Sequence, residues 1–153
     1  MTKYEVLVAI HVLMAVVWVG GNVMMQILAF RTMKARDSRQ LIALGRNIGW
    51  IDSRVFMPVS IVLLTFGIWA AKDGKFDFGS PWISLGLLGF LVSLLLGMGV
   101  VAPQSARLVK TVEAEGDDSA AAAAIVRRLV TIARYETLLL LVVVVAMVGK
   151  WGS

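Results

Sequence analysis

Cysteine is absent from this chain of 153 residues, and histidine occurs once, at His11. Without cysteine there is no disulfide framework, no iron–sulfur cluster, no thiolate metal site and no thiol nucleophile. A single histidine excludes a bis-histidine site within one chain. Charge is scarce too, with Asp, Glu, Lys and Arg making up 16% of the residues. No carboxylate pair falls within an apolar stretch and no serine has a base at a suggestive spacing, which leaves little from which to build a hydrolase. Phosphate-cradling glycine loops are missing, because the pair Gly20 and Gly21 lies inside an apolar run with neither P-loop nor dinucleotide-fold context.

What the chain has in abundance is apolar length. Hydrophobic residues are 59% of the total and the mean hydropathy is +0.83, far above the balance of a soluble domain. A helix needs roughly 20 mostly apolar residues to cross a hydrocarbon core about 30 Å thick. Four stretches approach or exceed that length, at about 4–30, 55–71, 82–102 and 132–149. The sequence predicts an all-α integral membrane protein, a single domain folded as a four-transmembrane-helix bundle with the lipid bilayer as its main partner. The first stretch is longer than a signal-peptide core and no A-x-A cleavage pattern follows it, so it reads as retained.

Orientation follows from Lys and Arg. Residues 31–54 hold Arg31, Lys34, Arg36, Arg39, Arg46 and Arg54 against Asp37 and Asp52, and the loop after the third stretch is also basic. The turn between the second and third stretches balances Lys72 and Lys75 with Asp73 and Asp77. By the positive-inside rule both termini face outside and the basic loops face the cytoplasm, here that of a bacterial inner membrane. The net charge of +5 therefore sits in loops and implies no nucleic-acid partner. Tyr4, Trp69, Trp82 and Trp151 fall at the outer interface and Trp50 at the inner one, with Trp18 near mid-membrane as the exception.

Local signals fill in the rest. A short amphipathic helix over 38–49, capped by Ser38, lies either on the membrane surface or as an extension of a neighbouring span. Asp52 or Ser53 reads as the cap of the second span, with Pro58 in its first turns. Pro103 reads as the end of the third span. Ser119, before five alanines, reads as the cap of a fourth helix that starts ahead of the membrane. Gly89, Ser93 and Gly97 form a small-residue row that would seat another helix of the bundle or a second copy of the chain.

Two groups of residues are candidates for function. On the first helix His11, Met14, Ala15, Trp18, Asn22 and Met25 share one stripe. Imidazole and thioether suit haem iron or Cu(I), which makes His11 a candidate metal ligand and Trp18, Met14, Asn22 and Met25 candidate neighbours of a cofactor. The competing reading is a neutral, hydrogen-bonded imidazole with packing methionines and no cofactor. The second group is Glu136 inside the fourth span, expected to pair with Arg31, Arg54 or Arg134. With His11 it would alternatively mark a polar path through a small transporter, channel or accessory scaffold.

The string His11-(six residues)-Trp18-Val19-Gly20-Gly21 resembles the first helix of a loose group of small bacterial membrane proteins. That group comprises the copper-resistance D (CopD) domain, the HemJ-type protoporphyrinogen oxidases, and an uncharacterised family of predicted integral membrane proteins of about this length. The whole chain is most similar to the last of these, with four helices, a basic first loop, and Pro58 and Gly67 in helix two. The resemblance to HemJ-type proteins implies haem b at His11 with Trp18 beside it, and that to CopD implies copper handling. Gln26 and Ile27 stand where HemJ-type proteins carry a Pro-Arg pair, and their further histidines are missing here.

Overall fold

The computed structural model describes residues 1–35, 37–116 and 118–150. Arg36 and Trp151, counted above among loop charges and interface aromatics, lie outside the described residues. Helix α1 runs Lys3–Ala35, α2 Ser38–Ile51, α3 Met57–Asp73, α4 Pro81–Leu96, α5 Ala102–Glu115 and α6 Ala120–Gly149. Among the described residues there is no strand.

The helices form four antiparallel rods. Between α2 and α3 the chain continues as a π-helical turn, Asp52–Phe56, and between α4 and α5 as another, Gly97–Val101. The four stretches long and apolar enough to span a bilayer are Lys3–Thr32, Arg39–Asp73, Pro81–Glu115 and Ala120–Gly149. A 35-residue rod is about 52 Å long at 1.5 Å per residue, well beyond a hydrocarbon core of about 30 Å. The excess lies at the end bearing the basic loops. There α2, α5 and the start of α6 build a compact core of Leu108, Val112, Ala122 and Ile125, with Ile42, Val126 and Leu129 packed against it.

Several expectations change accordingly. The amphipathic segment is a direct extension of the second span, and its apolar edge, with Leu41 and Leu44 buried, packs on α5 rather than lying on lipid. Its cap is Asp37, whose carboxylate accepts from the Arg39 and Gln40 amides, one residue ahead of the expected Ser38. Asp52 and Ser53 cap nothing, because the rod runs through them in helical conformation. Pro58 lies in the first turn of α3, as expected, although the rod runs into it from α2, and Pro103 does not end a helix. Each lies two residues past a π turn inside a continuous rod, where the wider hydrogen-bond ring absorbs the missing N–H.

Other readings hold. Ser119 caps α6 by accepting from the Ala122 amide. At the opposite end Thr2 and Glu5 exchange hydrogen bonds as a capping box for α1. Lys3 and Asp73 pair at 2.7 Å, joining the start of α1 to the end of α3. Trp82 is buried against Ala71 and Ile83 with Phe76 edge-on to it, so it packs the end of the bundle. Long apolar side chains elsewhere remain exposed, including Leu13 and Val16 on α1, Leu88 and Leu95 on α4, and Leu138 and Val145 on α6. Such a girdle is tolerable only against lipid.

The small-residue row is used inside the chain. A Cβ on Gly86 would collide with Met147, and one on Gly89 with Val143, while Ser93 donates to Glu136. All three partners lie on α6, so within the chain the closely approaching helix is α6. Gly97 is different, since a Cβ there meets nothing within 4 Å.

Candidate functional site

The helix-one stripe separates into two places. His11 leaves the bundle axis for α3, where its Nδ1 lies 2.9 Å from the Leu63 carbonyl oxygen. A carbonyl only accepts, so Nδ1 carries the proton and Nε2 is left as an acceptor when the ring is neutral. Gly67 makes this contact possible: a Cβ at that position would sit 2.8 Å from both Cε1 and Nδ1 of the ring. The imidazole lies in a notch that any side chain would fill.

Further along α1, Trp18, Asn22, Met25 and Gln26 face a cavity of about 700 Å³ in the half of the bundle nearer the basic loops. Trp18 is 7% exposed. It packs edge-on to Phe56 at 6.1 Å between ring centroids and against Phe90 at 5.4 Å. Gly21 leaves room for Phe56, because a Cβ there would meet the ring at 2.9 Å. Trp18 and Phe56 stand at the end of the cavity nearer the termini. The lining continues from Ser93 through the π turn at Gly97–Val101 to Leu108, a run of about 22 Å along the rod at 1.5 Å per residue. Across from it stand Asp52, Ser53 and Phe56 of the other π turn. Both irregular turns thus form walls of the same cavity.

Glu136 is the polar centre of this space. Its side chain is buried, 7% exposed, and Oε1 accepts from Ser93 Oγ at 2.5 Å. The Asn22 and Asp52 side chains line the same space near it. Gln26 organises the floor: its amide nitrogen lies 3.1 Å from Asn22 Oδ1, 2.9 Å from the Ala133 carbonyl oxygen and beside Thr137 Oγ1, and its two N–H groups are shared among these three acceptors. Ser105, at the far end of the cavity and 2% exposed, has no hydrogen-bond partner for its Oγ.

The expected ion pair is not formed. Among the described residues the ion pairs are Lys3–Asp73 and Arg46–Glu113, and neither Arg31, Arg54 nor Arg134 reaches Glu136. Arg134 lines the cavity but is exposed. Its position two residues before Glu136 puts it on another side of α6.

A haem or copper ion shared by the helix-one residues does not fit this geometry. His11 and Met25 are 14 residues apart on one helix, about 21 Å along its axis. The cavity that contains Met25 contains neither His11 nor Met14. Carboxyl, amide and hydroxyl groups dominate its polar lining, and these are poor partners for haem iron or Cu(I). Among the described residues no group of three or more His, Cys, Asp or Glu side chains is placed to hold a metal.

The sequence points to Trp18, Asn22, Met25 and Glu136, the first three as neighbours of a cofactor at His11 and the last as an arginine partner or, with His11, a marker of a polar path. Sequence reasoning missed Gln26, Asp52 and Ser105. The available signal was polarity out of place: Gln26 is an amide one turn past Asn22 in an apolar helix, and it should have been counted with Glu136.

Residues 5–151 match the family described as predicted integral membrane protein (DUF2269), and the chain belongs to that family. No curated protein and no solved structure matches it.

Proposed function

We propose that this member of the family is a non-enzymatic membrane protein that binds, and carries through its bundle, a small molecule with an apolar body and a polar group. One observation supports this above the rest: a cavity of about 700 Å³, mostly apolar in its lining, encloses the buried carboxyl of Glu136 within the spanning region. That volume falls in the range of small-molecule sites, which pair apolar walls with a few convergent polar groups. A carboxyl inside a span is costly and generally marks a pathway or a binding site. In this reading His11 is a structural residue that fixes α1 against α3, and Glu136 with Asn22 and Gln26 is the functional centre.

The test uses the apolar dye N-phenyl-1-naphthylamine with the protein in phosphatidylcholine nanodiscs, empty discs being subtracted. Saturable binding is expected, and Gly97→Leu should weaken it severalfold. Gly97 lines the cavity and a Cβ there meets no atom within 4 Å, so a side chain can be added without displacing the walls. Dye uptake that never saturates, or an affinity unchanged by Gly97→Leu, would show that the dye is not held in this space.

A further inference from the structure

We infer that the molecule held in this cavity is a lipophilic cation, with its charge against Glu136 and beside Trp18 and its apolar body extended toward Ser105. The inference rests on the cavity-binding reading and supplies the chemical class of its ligand.

Charge comes first. A carboxyl inside a membrane protein stays ionised only with a counter-charge beside it and otherwise takes up a proton, since desolvation costs several kcal/mol and neutral donors offset only part of that. Glu136 accepts from one neutral donor, Ser93, with the Asn22 side chain near it, and a second acid, Asp52, faces the same cavity. Arg134 is the lone basic residue among the described lining, and it is exposed while Glu136 is buried. The site thus carries an uncompensated acidic group at the end nearer the termini. An anionic ligand would add like charge there, and a neutral one would leave the carboxyl as it is. A ligand cation supplies what the chain omits.

Aromatic placement agrees with this. Trp18, the ring system with the strongest attraction for a cation over its face, lines the cavity on the same side as Asn22 one turn away. Beyond the polar centre the walls are apolar, formed by Met25, Phe30, Leu44, Ile48 and Met98. They are continuous for about 22 Å, which suits an elongated hydrocarbon better than a compact one. Ser105 stands at the far end of these walls, its own hydroxyl buried out of reach of the cavity.

The experiment compares three decyl compounds that differ in head charge: decyltrimethylammonium, decanol and decyl sulfate. Each displaces N-phenyl-1-naphthylamine from the full chain in phosphatidylcholine nanodiscs. Decyltrimethylammonium should act at a concentration about tenfold lower than decanol, the ratio that a desolvated cation–aromatic and carboxylate contact of this size implies, with decyl sulfate weakest. Glu136→Gln should bring the cation and the alcohol to the same concentration. Trp18→Leu should narrow the gap without weakening decanol, which keeps the test sharp if the Glu136 variant folds poorly. Should decanol match or exceed the cation in the unaltered protein, the cationic class is wrong while cavity binding stands. If none of the three displaces the dye because the dye does not bind saturably, the underlying reading fails as well.

Discussion

At the scale of single residues, the contact between His11 and Gly67 gives the chain's only histidine a structural explanation. Its hydrogen bond to the Leu63 carbonyl and its seat on a glycine belong to one arrangement, because the ring reaches the carbonyl only where α3 has no side chain. Gly67→Ala should lower the thermal midpoint in detergent, by an amount corresponding to about 1–3 kcal/mol of overpacking. In a His11→Ala background the same substitution should be neutral or stabilising, since the clash has lost its partner and alanine is the better helix former. Additive effects in the double variant would mean that the two residues do not interact. The sequence made His11 visible but not its partner: glycine carries no chemistry, and Gly67 lies 56 positions away in the chain. Glu136 was equally visible, yet its nearest donor is a serine that reads as a packing residue until α6 is placed against α4.

Among the elements, the pairing of α2 with α5 shows how little of an extension can be read from polarity alone. Amphipathic segments on a membrane surface and amphipathic segments in a helical pair have the same periodicity, and only the partner distinguishes them. Here the distinction lies in two glycines one turn apart. A Cβ on Gly45 would collide with Val109 and come within 3.4 Å of the Ser105 carbonyl, whereas one on Gly49 meets nothing within 4 Å. Gly45→Ala is therefore expected to destabilise, by about 1–3 kcal/mol. Gly49→Ala should stabilise by about 0.5–1 kcal/mol through the reduced backbone entropy of the unfolded chain. Denaturation midpoints of the two variants moving in the same direction would contradict the packing of α2 on α5. The Arg46–Glu113 pair beside them, 3.0 Å long but exposed on both sides, should contribute little.

For the whole molecule, the hydropathy pattern fixed the number of spans and the order of the helices, because a bilayer imposes length and apolarity so strictly. It could not show that two spans continue some 20 Å past the membrane. The continuation depends on π turns, and these have no hydrophobic signature. The prolines had suggested breaks at those very places. Orientation still rests on the basic loops, and the absence of cysteine makes it simple to check. Lys75→Cys should react with a membrane-impermeant maleimide on intact cells, and Lys110→Cys only after permeabilisation. The opposite pattern would invert the topology and place the cavity in the outer half of the membrane.

The two π turns stand in the same relation to their prolines: Asp52–Phe56 precedes Pro58 as Gly97–Val101 precedes Pro103. A π turn is an α-helix holding one residue more than its geometry requires, with the flanking helix keeping its facing. Each long rod therefore carries a spare residue at the level of the cavity. Loss of one residue from either turn would tighten the wall and leave the faces above and below in register. Loss of one residue elsewhere within a rod would rotate the part beyond it by about 100° and turn Leu41 or Leu108 away from its partners. Within the described rods the two turns are thus places where a one-residue deletion keeps both flanking faces, and the change would fall on the wall of the cavity.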